Sequence, residues 1–257
     1  MTLRWVPGWN GLTEPEAVSY VAAVEAADGQ ELEFDVARAI NDFVVGCKND
    51  GIWDAIKACC ILAGARTLSG ALVPLVGTAP TNPGNVFVEA DYNREAGLVG
   101  NGSTKYLNSN RNNNADPQNS KHASIYASSL PSSALRPMLA LDRLNTEGSG
   151  ATLIYNTLTR VHDAQSSAYS ASTGFIGLSR SNSANYTRRN NSLNTTLAES
   201  SVSPISRNII LFADNLQNGP LYSNARLSFY SIGESLDLAL LDTRVSALIT
   251  AIGAAIP

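Results

Sequence analysis

The sequence predicts a mainly β, α+β protein: an antiparallel jelly-roll β-sandwich with a small N-terminal helical segment and a C-terminal helix. Apolar residues recur at helical spacing in residues 13–66 and 235–255. Between these parts, short apolar alternations are separated by Gly, Pro, Ser and Asn, a pattern typical of short strands and surface loops. We therefore expect a helical docking segment over residues 1–67, a sandwich over residues 68–233 and a helix over residues 234–257.

The first part contains signals for three helices. Thr13 as a cap, Pro15 in the first turn and Glu16 three residues after the cap predict a helix start. Asp28 and Gly29 predict its end. The apolar positions are Val18, Val21, Ala22 and Ala26 in the first helix, Val36, Ile40, Phe43, Val44 and Cys47 in the second, and Ile52, Ile56, Cys59, Cys60 and Ala63 in a third that ends near Gly64.

The strand candidates of the middle part alternate apolar and polar residues. In residues 86–92 the valines at 86 and 88 share one face with Ala90 and Tyr92. Further candidates are residues 97–99, 123–127, 153–155, 175–178, 209–213 and 227–230. We expect Gly97, Gly100 and Gly102 to form tight turns with positive φ.

The last helix has an expected cap at Ser235 and a heptad-like seam. The seam residues are Leu238, Leu241, Val245, Leu248 and Ile252. One interpretation packs this seam on the sandwich or the helical part, and the alternative places it on the axis of a homotrimer. A seam of two heptads is shorter than an autonomous coiled coil normally needs, which favours the first interpretation.

Composition excludes several function classes. The chain has 257 residues, a net charge of −4 and 16% charged residues, without a Lys/Arg cluster larger than a pair, so we expect no nucleic-acid partner. No run of 18 apolar residues occurs, so we expect no membrane insertion. Cys47, Cys59 and Cys60 are odd in number, include a vicinal pair and lie in apolar surroundings. This argues against a disulfide framework or a zinc site, and we expect the three cysteines to be buried. No phosphate-binding glycine motif occurs, and no cofactor or metal is expected.

Three carboxylates could form an acid pair. Glu89, Asp91 and Glu95 would share a face of a continuous strand, as a retaining glycan hydrolase requires. Asn93 and Arg94 read as a turn that interrupts this strand, so solvent-facing charges are the favoured interpretation. The chain contains two histidines. His162 and Asp163 are neighbours whose side chains diverge on a strand, and His122 is expected in a surface position; no catalytic triad is predicted.

The loops offer candidate ligand-binding side chains. They are Tyr106, Asn110, Arg111, Asn112, Asn114, Asp116, Tyr186 and Arg188. Asn112, Asn114 and Asp116 alternate oxygen donors as a calcium loop does, but Pro117 stands where such loops use Gly, so a self-bonded turn is favoured. Tyr126, Tyr155, Tyr169 and Tyr222 could also stack on sugars, although a sandwich tyrosine usually packs in the core with its hydroxyl at the rim. Trp5 and Trp9 either anchor the chain to a partner or cover the first helix.

Several segments together resemble one group of virion proteins. They are residues 97–107 (GLVGNGSTKYL), 110–117 (NRNNNADP), 224–233 (NARLSFYSIG), 236–242 (LDLALLD) and 39–48 (AINDFVVGCK). Their order resembles the laminin-G-like, concanavalin-A-like modules of tailed-phage tail and tail-fibre proteins. The resemblance implies a structural virion protein with a lectin-like fold, assembled in the host cytoplasm as a homotrimer with other virion proteins as partners. It implies no particular ligand, and a host-surface glycan bound by the sandwich loops is a further expectation. The scarcity of carboxylates in residues 97–219 predicts that the protein is not an enzyme. A capsid decoration or head-fibre protein is the alternative, and a jelly-roll glycan hydrolase is the alternative of another class.

Overall fold

The computed structural model describes residues 11–142, 149–217 and 219–257. The expected partner-docking residues Trp5 and Trp9 lie outside them. The helices are α1 (Pro15–Asp28), α2 (Phe34–Asn49), α3 (Leu68–Ala71) and α4 (Leu238–Ala255). The strands are β1 (Ile56–Ile61), β2 (Pro74–Val76), β3 (Tyr92–Asn93), β4 (Gly97–Val99), β5 (Leu107–Asn112), β6 (Lys121–Ser129), β7 (Pro137–Leu141), β8 (Ala151–Tyr155), β9 (Leu158–Asp163), β10 (Ser167–Ala168), β11 (Gly174–Arg180), β12 (Tyr186–Asn190), β13 (Leu193–Leu197), β14 (Asn208–Leu211), β15 (Ala213–Asp214), β16 (Leu221–Tyr222) and β17 (Arg226–Gly233).

Two antiparallel sheets form the sandwich. Sheet A has the order β13-β12-β11-β6-β17-β1-β2, with β4 paired to β17 and β3 paired to β4. Sheet B has the order β10-β9-β8-β7-β14-β5, and β15 and β16 form a separate hairpin. The predicted mainly β, antiparallel jelly-roll sandwich with few helices and a C-terminal helix is confirmed.

Sheet A is covered on both faces. Phe229 of β17 packs edge-on against Phe43 of α2, with ring centroids 5.8 Å apart. Its neighbour Tyr230 points to the opposite face and joins the core between the two sheets. The alternation of side chains along β17 thus supplies two cores, and the molecule has three layers: helices, sheet A and sheet B.

The first two helices are confirmed, but the buried face of α1 differs from the expected stripe. Val18 is exposed, whereas Ala17, Tyr20, Val21 and Val24 are buried. The N-cap is Glu14, not Thr13, and has no side-chain capping bond. The amide oxygen of Asn41 instead accepts the backbone N–H groups of Thr13 and Glu14.

The expected third helix is wrong. Residues 56–61 form β1, which pairs with β17 and β2 and therefore belongs to sheet A. A strand buried on both faces reads as a continuous apolar run, and its apolar residues then also fit a helical spacing. Cys59 faces the helices and Cys60 faces sheet B. All three cysteines are free and buried, as expected.

The expected strand over residues 86–92 is also wrong. A short 3₁₀ turn, Pro83–Asn85, precedes this segment, and a second one, Glu89–Asp91, lies within it. The side chain of Asn82 binds both the N–H and the C=O of Phe87, and the carboxylate of Asp91 accepts the N–H of Val88. These side-chain bonds satisfy backbone groups that a strand would use. The other strand candidates are confirmed.

Helix α4 begins after an N-cap at Asp237, whose side chain accepts the N–H groups of Ala239 and Leu240, so the cap expected at Ser235 is wrong. The seam residues Leu238, Leu241, Val245, Leu248 and Ile252 are all buried in the core shared with α2 and sheet A. Arg244 of α4 also binds the carboxylate of Asp50 after α2. By length and composition alone α4 could cross a membrane. Here its seam packs inside the chain and is not available as a trimer axis.

Candidate functional site

The outer face of sheet B carries a cleft whose position follows from the alternation of β9. Thr159 bonds to the hydroxyl of Tyr186 on sheet A, so it faces the inter-sheet core. Its neighbours Leu158 and Arg160 therefore point outward. The register pairs Arg160 with Leu153 of β8, so Leu153 lies on the same outer face. Tyr155, two residues later in β8, lies on this face as well.

The outer-face cleft has a volume of about 200 Å³. Its lining residues are Leu135, Leu153, Tyr155, Leu158, Arg160, Ser166 and Leu221. Four leucines and a tyrosine ring form the apolar walls, and a guanidinium and a hydroxyl supply the polar groups. A concave apolar site with few placed polar groups is the usual form of a small-ligand site.

The polar groups of the cleft are held in place. The hydroxyl of Tyr155 donates to the carboxylate of Asp214 in the β15–β16 hairpin. The Nε of Arg160 donates to Ser166 Oγ at 3.1 Å and lies 3.6 Å from Asp163 Oδ1. Because these contacts fix the tyrosine ring and the guanidinium before a ligand arrives, a ligand would bind without ordering them.

Tyr106 is a predicted ligand residue that lies just before β5, close to the β15–β16 hairpin that carries Leu221 of the cleft. The pKa of Tyr106 is raised by burial and by the charges of Asp142 and Tyr222, which lie near it. Tyr222 follows Leu221 of the cleft in β16. One carboxylate oxygen of Asp142 is buried without a hydrogen-bond partner.

Two other predicted ligand residues form a buried ion cluster. Both Arg111 and Lys121 bind the carboxylate of Asp116, the latter at 2.6 Å. Asp116 and Lys121 are buried, and these two cations hold the pKa of the Asp116 carboxyl below its usual value against the opposing effect of burial. The cluster therefore holds the loop after β5 against β6. Asp116 is the only carboxylate of the calcium-type motif considered above, and both of its oxygens bind these cations.

The asparagines of this loop also have structural partners. Asn110 has φ of 57° and donates to Ala79 O and Thr81 Oγ1. The side chain of Asn112 accepts the N–H of Asn114, the self-bonded turn that the sequence favours. Asn114 is exposed. Within the described residues, no group of three His, Cys, Asp or Glu side chains could hold a metal ion.

Tyr186 lies in the core of the sandwich, and Arg188 lies at its edge. Tyr186 is buried between the sheets. The guanidinium of Arg188 lies 4.7 Å from the ring centroid of Tyr169 and donates to the carbonyl of Ala168. Arg188 thereby connects β12 of sheet A to the segment around β10 of sheet B. Neither residue reaches the lining of the outer-face cleft.

Both histidines are buried, so the surface position expected for His122 is wrong. His122 binds Glu234 O and Ser231 Oγ, and burial lowers its pKa to about 4. His162 binds Gln118 O and Asn113 Oδ1, and burial again lowers its pKa to about 4. Neither histidine bonds to Asp163, in agreement with the diverging side chains expected from the sequence.

Asp163 is the carboxyl group near the cleft whose pKa differs most from its usual value. Burial raises its pKa to about 6, although Arg160 and Arg180 act in the opposite direction. Arg180 is itself buried and donates to four backbone carbonyls, those of Val161, Asn182, Asn185 and Glu199. This network fixes the strands behind the cleft.

The carboxylates of the proposed acid pair are engaged elsewhere. Glu89 accepts the N–H of Leu68 at the start of α3. Asp91 pairs with Lys105. Since these residues lie in a 3₁₀ turn, they do not form the strand pair that a retaining hydrolase requires.

No protein-family model matches this chain, and no curated protein matches it. Among solved structures, the chain is similar to the binding domain of botulinum neurotoxin serotype D, with 12% identity, a TM-score of 0.45 and coverage of 76% of this chain and 51% of that one. It is also similar to domain 4 of the extracellular GH43 arabinanase AbnA from Geobacillus stearothermophilus in complex with arabinotriose (9% identity, TM-score 0.38, 65% and 81% covered). A third similar structure is a mutant sialidase of Trypanosoma rangeli with trans-sialidase activity (10% identity, TM-score 0.45, 84% and 40% covered). The chain thus spans about half the length of the neurotoxin chain. These likenesses concern the fold alone.

Most residues of the cleft were missed by the sequence analysis. Tyr155 was considered as a sugar platform, but Arg160, Leu135 and Leu221 were not singled out. The available signal was the outward phase of β9, where Leu158 and Arg160 alternate with buried Thr159 and Val161. The strand itself was not recognised, so its phase could not be used.

Proposed function

We propose that this chain is a non-enzymatic structural component of a tailed-phage virion that binds a host-surface glycan through the outer-face cleft. The observation that carries the binding role is the cleft itself, in which the fixed ring of Tyr155 lies with the guanidinium of Arg160 among apolar walls. The virion role rests on the resemblance of five ordered sequence segments to phage tail modules.

The chemistry of the cleft favours a single acidic sugar at the end of a glycan. Its volume of about 200 Å³ is below the range of drug-sized pockets, which is roughly 300–1,000 Å³. The side chains of Leu135, Leu158 and Leu221 match the apolar face of a pyranose, and the hydroxyl of Ser166 can exchange hydrogen bonds with sugar hydroxyls. Arg160 supplies a cation that favours a carboxylate or phosphate substituent.

Binding to an array of immobilised bacterial envelope polysaccharides tests the proposal. A hydrogen bond to a charged group contributes about 1.5–3 kcal/mol, so we expect Arg160→Gln to weaken binding to an acidic polysaccharide about 10- to 100-fold. Arg38→Gln is the matched control, because Arg38 lies exposed on α2, beyond sheet A. Equal binding by the wild type and Arg160→Gln would contradict the assignment of this cleft.

The non-enzymatic role is proposed because Glu89, Asp91 and both histidines have structural partners within the chain. Incubation with the polysaccharides that bind should produce no new reducing ends. Activity that disappears in Glu89→Gln would favour the glycan hydrolase instead.

The virion partners and the assembly in the host cytoplasm are part of the same proposal. Mass spectrometry of separated heads and tails should recover the chain with tails. Recovery with heads alone would favour a capsid decoration or head-fibre protein.

A further inference from the structure

Strand β13 forms an open edge of sheet A. Its residues Leu193–Leu197 pair with β12 on one side, and sheet A ends there on the other. In the described part of the chain, no backbone hydrogen bond joins this strand to a strand other than β12. Its first four residues are exposed, and Leu193 is exposed to 68%. An edge of this kind presents a row of N–H and C=O groups to which another strand can pair.

The edges at β2, β10 and β5, the other ends of sheets A and B, are protected. β2 has three residues, begins with Pro74 and packs against α1. β10 has only two residues. The edge of β5 is bridged by Thr81 at Asn108 and interrupted by the positive φ of Asn110. These are devices by which native sheets avoid edge-to-edge pairing, and β13 has none of them.

The order of apolar and polar residues in β13 is the same in both chain directions. Leu193, Thr195 and Leu197 share one face, while Asn194 and Thr196 share the other. A two-fold axis at Thr195 would therefore pair apolar with apolar and polar with polar residues. No charged residue occurs between positions 189 and 199, so no like charges oppose this pairing.

We propose that β13 pairs antiparallel with β13 of a second copy of this chain, with the two-fold axis at Thr195. Leu193 then lies opposite the second copy's Leu197, and Asn194 lies opposite its Thr196. Sheet A continues across the two copies. The exposed Leu193 side chain becomes covered, and the interface is isologous, the commonest type in homodimers. This proposal is independent of the outer-face cleft, which lies on sheet B.

Sedimentation velocity over a range of concentrations tests the association. We expect the wild type to form a species of twice 27.2 kDa. Thr195→Lys places two ammonium groups opposite each other across the axis and should leave a monomer. Thr250→Lys, at an exposed position of α4, is the matched control and should remain dimeric. A wild type that is monomeric or trimeric at all concentrations would overturn the proposal.

Cysteine cross-linking with diamide tests the register. Opposite residues have Cβ atoms about 4.5–5.5 Å apart, so Thr195→Cys should form a disulfide-linked dimer. Asn194→Cys alone should not, whereas Asn194→Cys combined with Thr196→Cys should. The wild type controls for the three native cysteines, which are buried. Faster cross-linking by Asn194→Cys alone than by Thr195→Cys would contradict the two-fold axis at Thr195.

Discussion

Acidification should destabilise the protein through His122, whose imidazole is buried without a charge. Its pKa in the folded state is about 4, against about 6.5 in an unfolded chain. Between these values the unfolded state binds the extra proton, so the free energy of unfolding falls as the pH is lowered. The two pKa values give a loss of about 2 kcal/mol from this one residue between pH 7.5 and pH 5.

The test variant is His122→Gln, which keeps a side-chain donor for the carbonyl of Glu234 but cannot be charged. Urea unfolding followed by circular dichroism at pH 7.5 and pH 5 gives the free energies for both proteins. We expect the pH-dependent loss to be about 2 kcal/mol smaller in the variant. His162 and Asp163 titrate in both proteins, the latter in the opposite direction, so the difference isolates His122. Equal losses in the two proteins would refute the reasoning.

Three further predictions concern stability and packing. Asp116→Ala leaves Lys121 buried without its carboxylate and should lower the free energy of unfolding in urea by about 3–5 kcal/mol. Gly97→Ala should lower the melting temperature more than Gly29→Ala. A Cβ at residue 97 would overlap neighbouring backbone, whereas no atom lies within 4 Å of a Cβ at residue 29. Equal shifts of the two melting temperatures would contradict this. Leu241→Ala should cost about 2–5 kcal/mol in urea unfolding and leave the mass in sedimentation unchanged, since its side chain packs inside one chain. A change in mass would instead indicate that the seam contacts another copy.

The sequence predicts the fold class and most elements because apolar residues mark these elements and turn residues separate them. The helix α2 shows a single apolar stripe, and β6, β11 and β17 contain short runs rich in apolar residues between turn signals. The error at β1 has a physical origin, since a strand with a core on each face has no polar phase. The strand predicted over residues 86–92 is wrong for the opposite reason. Apolar and polar residues do alternate there, but the side chains of Asn82 and Asp91 bind backbone groups that a strand would use.

The candidate site was harder to predict, because polar loop residues were taken as ligand groups without knowledge of their partners. Arg111 and Asp116 look available in the sequence and are in fact bound to each other. Whether a polar side chain has a partner depends on contacts between distant segments, which spacing does not encode. Arg160 and Leu221 come together from separate parts of the chain, so their cleft becomes visible only in the folded protein.

The helical layer combines segments from widely separated parts of the chain, α2 at residues 34–49 and α4 at residues 238–255. During synthesis α4 is the last of these elements to leave the ribosome. Until it emerges, the helix-facing side of sheet A has α2 as cover but lacks α4 around Phe175, which lies next to the position of Leu238. A chain without residues 238–255 therefore exposes part of the apolar face of sheet A, and exposed apolar surface of this kind promotes aggregation. The order of these elements along the chain makes the covering of this face depend on α4, although α2 is synthesised about 190 residues earlier.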